Sequence, residues 1–236
     1  MPRETGRGRW ANNATRSPNA SRKPIVFPEE DPMAAKIDPE EKIVKAAMKL
    51  AAKQGWRELS LAEIAKAARV SLSDLSKLFA SKAEILAAYG RRVDALVLEE
   101  AFREDNAGEA PRDRLFDVLM MRFDALSADK EALKRIARDL RRDPLASAPL
   151  GRPFLQSMGW MLEAAGIDSS GIRGAVRVRG LALVWGAAFR VWLEDEPDQS
   201  RTMAELDSRL RQGEDFIQRI SRLGTRSRAR NEKDAA

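Results

Sequence analysis

Three helix starts crowd into the stretch from Ser60 to Glu84, and their spacing limits the fold more tightly than any other feature of the chain. Ser60-Leu61-Ala62-Glu63, Ser71-Leu72-Ser73-Asp74 and Ser81-Lys82-Ala83-Glu84 each set a serine three residues ahead of an acid. In such a box the serine oxygen accepts from the N–H of the acidic residue, and the acid answers the serine's own N–H. The first two starts leave room only for a short helix over about 61–68, a turn, and a second helix over about 72–79. That is the spacing of a helix-turn-helix. Ile64, Ala65, Ala68, Val70, Leu75, Leu78 and Phe79 are the expected shared core, with Ala65 small enough to let the two helices approach closely.

The flanking sequence is helical as well. Asp38-Pro39-Glu40-Glu41 supplies an N-cap, a first-turn proline and acids suited to a positive helix end, so a helix is expected over 39–54 with Gly55 as its stop. From residue 82 the apolar positions Ile85, Leu86, Tyr89, Val93, Leu96 and Val97 carry a long helix to about 103. Further helical stripes follow through Leu115–Leu126, Leu133–Leu140 and Phe154–Ala165, without β-alternation. The segment 171–194 is apolar on two sides, Ile172, Val176 and Leu183 on one and Val178, Leu181, Trp185, Phe189 and Trp192 on the other, so burial on both is expected. Met203, Leu206, Leu210, Phe216, Ile217 and Ile220 mark a last helix over about 200–222. The expected class is all-α: a helix-turn-helix domain over 37–103, then a larger helical domain over 104–223.

Charge and composition narrow the chemistry. The net charge is +6, but the ends carry more than all of it: in 1–28 Arg3, Arg7, Arg9, Arg16, Arg22 and Lys23 oppose Glu4 alone, and in 224–236 Arg226, Arg228, Arg230 and Lys233 oppose Glu232 and Asp234, which leaves 29–223 slightly negative. Segments 1–36 and 224–236 are expected to be disordered tails, since they lack the apolar residues that offset ordering entropy. The first tail reads either as a transit-like segment, against which Pro18, Pro24 and Pro28 argue, or as sequence ahead of a true start at Met33. With no Cys and no His, disulfides, Cys/His zinc sites, thiol nucleophiles and imidazole catalysis are excluded. No cofactor is expected, and no carboxylate pair stands out from surface ion pairing, so an enzyme is disfavoured. No run approaches the roughly 18 apolar residues of a membrane span, and the expected location is cytoplasmic.

The run from Gly55 to Leu86, with Leu61, Ile64-Ala65, Ala68, Val70-Ser71, Leu75, Phe79, Lys82 and Ile85-Leu86, resembles the DNA-binding domain of tetracycline-repressor-like (TetR) regulators. The resemblance implies a dimer that binds double-stranded DNA, and a second helical domain for dimerisation and for a small ligand. Two departures stand out. Arg69 occupies the turn position where the family usually has Gly, so either an arginine takes a left-handed conformation at roughly 1 kcal/mol or more, or the turn differs. Ser73-Asp74-Leu75-Ser76 replaces a Gly-Thr-Leu-Tyr run, removing a phosphate-contacting Tyr and adding an acid, which reads as the capping partner of Ser71 rather than an acceptor for a cytosine amino group.

On a helix-turn-helix, Ser71, Ser73, Ser76 and Lys77 are expected to face outward from the second short helix into a major groove. Ser60 and Lys82, at helix starts, are candidates for phosphate. Met120, Phe123, Met158, Met161, Trp185 and Phe189 either pack the core or line an apolar, lipid-like ligand pocket. One of Arg173, Arg177 and Arg179 is a candidate for a polar ligand head. A second resemblance competes with the regulator. The run from Val191 to Asp198, followed by Thr202–Asp207, is similar to TetR-fold accessory proteins of ubiquinone biosynthesis, which bind lipid and a partner enzyme instead of DNA.

Overall fold

The computed structural model describes residues 38–103 and 108–214, and those residues form helices and connecting turns with no strand. Expectations placed on 1–37, 104–107 and 215–236, including both tails, the Met33 start and the end of the last helix, fall outside the described residues.

The first four helices lie close to where the sequence puts them: α1 Pro39–Gln54, α2 Leu61–Ala68, α3 Leu72–Leu78 and α4 Lys82–Arg103. The Asp38 side chain accepts from the Glu40 N–H at 3.2 Å at the start of α1. Gly55 stops that helix at φ 89°, and its bare Cα lets the Asp139 carboxylate come close. Only the first of the three boxes is reciprocal: Ser60 accepts from the Glu63 N–H, and Glu63 accepts from both the N–H and hydroxyl of Ser60. At α3, Ser71 accepts from the Asp74 N–H but Asp74 takes the Ser71 hydroxyl rather than its N–H. At α4, Glu84 reaches past Ser81 to the Ala80 N–H at 2.8 Å. Arg69 does adopt the left-handed conformation, at φ 57° and ψ 41°. The Val70 N–H closes the turn onto the Ala65 carbonyl at 3.1 Å, a Schellman arrangement whose bonds offset the arginine's steric cost.

Beyond α4 come α5 Pro111–Ser127, α6 Lys130–Arg142, the short α7 Pro144–Ser147 with a 3-10 turn Ala148–Leu150, α8 Gly151–Ala164 and α9 Gly171–Trp192. A tenth helix, α10, occupies 200–214. The long α4 packs against α1 on one side and against α5 and α8 on the other, while α6 lies on α1 and α9 on α8. The buried core runs without a break from Ile43 in α1 through Val97 in α4 to Trp192 and Leu206.

Several sequence expectations need correction. Leu78 is not in the shared core: it is 44% exposed, because α3 is short and only Leu75 turns inward against α2. Leu96 of α4 is exposed as well. The segment 171–194 is not buried on both sides within the chain. Leu181, Trp185, Ala188 and Trp192 are buried, whereas Ile172 is 87% and Leu183 78% exposed and Val176 is exposed beside them, since no described element covers that face.

Candidate nucleic-acid interface

α3 has a single buried residue. Leu75 holds it to the core, and Ser71, Ser73, Asp74, Ser76 and Lys77 are all exposed. Its polar groups are partly committed to one another. Asp74 joins the Ser71 hydroxyl at 2.7 Å and the Lys77 Nζ at 2.8 Å, and these bonds, Lys77's first, hold its carboxyl below the ordinary range. The Ser76 hydroxyl donates back to the Ser73 carbonyl at 2.8 Å, and the Ser73 hydroxyl makes no hydrogen bond among the described residues. Ser71 therefore caps the helix, while Asp74 holds the cap's hydroxyl and ties up Lys77 in the free protein. Because this ion pair is exposed, it yields readily to a stronger anion.

The two proposed phosphate residues sit differently. Ser60 is exposed, but its oxygen and N–H are both engaged in the capping box. Lys82 is half-buried: its Nζ donates to the carbonyls of Trp56 and Arg57 at 2.8 and 3.1 Å and lies 5.7 Å from the centre of the Trp56 ring. Burial lowers its pKa against the opposing pull of Glu58, Asp139 and Glu63. Lys82 thus fastens the loop between α1 and α2 to the start of α4.

The same loop is fastened from the far side by a residue that no motif singles out. Asp139 of α6 accepts from the Trp56 and Arg57 N–H groups at 2.7 and 3.0 Å. Burial raises its pKa, but these two bonds, aided by Arg142 and Arg138, outweigh burial and hold the carboxyl below its usual value. The loop is therefore a joint clamped between α4 and α6, with Lys82 binding its carbonyls and Asp139 its amides. Asp139→Ala is expected to cost about 1–2 kcal/mol at neutral pH by leaving two N–H groups without their acceptor. A carboxyl with a depressed folded pKa stabilises above its unfolded value and loses that contribution as pH falls through the folded one. Thermal denaturation of both proteins should therefore show the gap at pH 7 closing as the pH falls below the ordinary aspartate range.

The six residues read as core or pocket all belong to the core or pack against it. Phe123 stacks on Trp185 with ring centres 4.3 Å apart, Trp185 on Phe189 at 6.1 Å, and Phe189 on Trp192 at 5.5 Å. Met158 and Met161 are fully buried beside them, and Met120 and Phe189 are half-buried at the edge. These side chains pack against each other. The arginine in this core is not one of the three expected on α9: Arg177 and Arg179 bond backbone carbonyls of Asp168 and Ala175, and Arg173 is exposed. It is Arg122 of α5, whose guanidinium pairs with Asp94 of α4 and lies 5.1 Å from the Trp185 ring centre. Ser157 of α8 donates to the same Asp94 oxygen at 2.8 Å. The Arg122 Nε has no hydrogen-bond partner among the described residues. An arginine inside the apolar run Met120-Met121-Arg122-Phe123 was the available signal.

Comparison with known proteins agrees with this architecture. Residues 43–89 match the family described as bacterial regulatory proteins, tetR family. No curated protein matches. Among solved structures, a TetR transcriptional regulator from Nitrosomonas europaea is 24% identical at a TM-score of 0.59, covering 74% of this chain and 97% of its own. One from Rhodococcus sp. RHA1 is 20% identical at 0.56, covering 73% and 93%. Thermus thermophilus FadR, a TetR-family repressor in complex with lauroyl-CoA, is 24% identical at 0.50, covering 73% and 91%.

Proposed function

We propose that this TetR-like protein is a DNA-binding transcriptional regulator that reads a pseudo-palindromic operator as a homodimer and responds to a small apolar ligand. One observation carries the reading: within the stretch that matches the family, α3 is held by Leu75 alone and presents Ser71, Ser73, Ser76 and Lys77 outward on a helix free to enter a major groove. On approach to phosphate, Lys77 exchanges Asp74 for the duplex, and Ser60 and Lys82 border the backbone at the starts of α2 and α4.

The dimer reading is supported by Ile172, Val176 and Leu183, an exposed apolar row on α9 that no described part of the chain covers. Burying that row against its copy would set two α3 helices on one side of the duplex, about one DNA turn apart. The ligand reading is supported by the aromatic and methionine core around Phe123, Trp185 and Phe189, where the buried Arg122 offers a polar anchor; the FadR neighbour holds an acyl-CoA. A ligand that prefers a dimer spacing unsuited to DNA lowers operator affinity, and operator DNA weakens the ligand by the same factor.

The accessory-protein reading is not favoured. Its signature segment, which begins at the end of α9, is used within the fold: Trp192 is fully buried, and Asp195 accepts from the N–H and hydroxyl of Thr202 at 2.7 and 2.6 Å near the start of α10.

Selection of bound duplexes from a random library tests the proposal. A two-half-site sequence should be enriched both by the full chain and by the chain begun at Met33, and its affinity should fall steeply between about 50 and 200 mM salt. Recovery of no common sequence, or binding that disappears with residues 1–32, would sink it.

A further inference from the structure

Between the end of α1 and α6 lies a cleft of about 310 Å³, lined by Gln54, Gly55, Arg57 and Glu58 on one wall and by Arg135, Arg138, Asp139 and Arg142 on the other. Arg135, Arg138 and Arg142 follow at three- and four-residue steps on one face of α6, so three guanidinium groups occupy successive turns and repel one another. Among the described residues, Arg57, Arg138 and Arg142 make no ion pair. Arg135 donates to the Lys53 carbonyl at 3.2 Å. Two carboxylates share the cleft, but one Asp139 oxygen is taken by the Trp56 and Arg57 amides, and Glu58 leaves the four arginines in excess.

We propose that this cleft is a binding site for a small phosphate ester or polyphosphate, which bridges Arg57 on the loop to Arg138 and Arg142 on α6. Planar guanidinium forks suit phosphate oxygens two at a time, and the volume lies within the usual range for a small-molecule site. A concave site of this size accepts a compact anion. The cleft's two walls are the loop and the α6 side of the joint described above, so a bound phosphate fastens α6 to the loop that leads into α2. The site stands whether or not α3 reads DNA.

Calorimetric titration of the full chain at constant ionic strength, with inorganic triphosphate and ATP as separate probes, tests it without DNA. One saturable site per chain is expected, weakened at least tenfold in Arg138→Ala/Arg142→Ala and again in Arg57→Ala from the opposite wall. Thermal denaturation of each variant checks that it is folded. Equal binding of both probes assigns recognition to phosphate alone; tighter binding of ATP extends it to a nucleotide. Unsaturable binding, or binding unchanged by substitution on both walls, overturns the site and assigns the affinity to the basic ends of the chain. A tenfold loss of operator affinity by Arg138→Ala/Arg142→Ala in phosphate-free buffer overturns it too, because the arginines would then serve the DNA backbone.

Discussion

Asp94→Ala is expected to cost about 3–5 kcal/mol of stability, the penalty for leaving a buried charge without its partner. The Arg122 and Asp94 side chains are only 7% and 9% exposed, so water cannot replace the missing carboxylate, and the Ser157 hydroxyl loses its acceptor at the same time. For a chain of this size the loss corresponds to a fall in Tm of about 10 °C. The double variant Asp94→Leu/Arg122→Met removes both charges and should recover much of the loss, since a buried ion pair replaced by packed apolar groups is often neutral. Urea denaturation followed by tryptophan emission reads the change, because Trp185 lies beside Arg122. A single variant as stable as the parent would mean that Arg122 finds another partner or solvent.

On the DNA side, Ser73→Glu/Ser76→Glu is expected to weaken operator binding by about a hundredfold, or roughly 3 kcal/mol, through two carboxylates facing phosphates at the mouth of the groove. Both serines are exposed, and the only side-chain bond lost among the described residues is the local one from Ser76 to the Ser73 carbonyl. The Tm should therefore hold to within the ~0.5 kcal/mol typical of surface changes. Gel-shift titration against the selected duplex, with circular dichroism as the folding control, separates the two effects. Unchanged affinity would remove α3 from the interface.

Most of the helical frame was legible in the sequence because its determinants are local. A serine and an acid three residues apart, a proline after Asp38 and a glycine at 55 act within one helical turn, and α1 to α4 begin and end within a residue of where those signals put them. The resemblance put Arg69 at the turn but left open whether an arginine takes the left-handed conformation there, and the structure shows that it does. What failed was burial. Leu78 and the Ile172 face have helical spacing and apolar side chains, yet whether such a face is covered depends on a neighbour that spacing does not name.

The candidate site divides along the same line. Sequence alone determined that a short helix capped by Ser71 follows another capped by Ser60, because these are bonds between residues three apart. Only the tertiary structure decided that Lys82 turns onto the Trp56 and Arg57 carbonyls, that Asp139 holds the amides of the same loop from 83 and 82 residues away, and that Asp94, Arg122 and Ser157 meet in the core. Those contacts pair charges and hydrogen-bond donors from different helices. Their partners are fixed by how α4, α5, α6 and α8 pack, and packing follows the shape of the whole core rather than any local pattern.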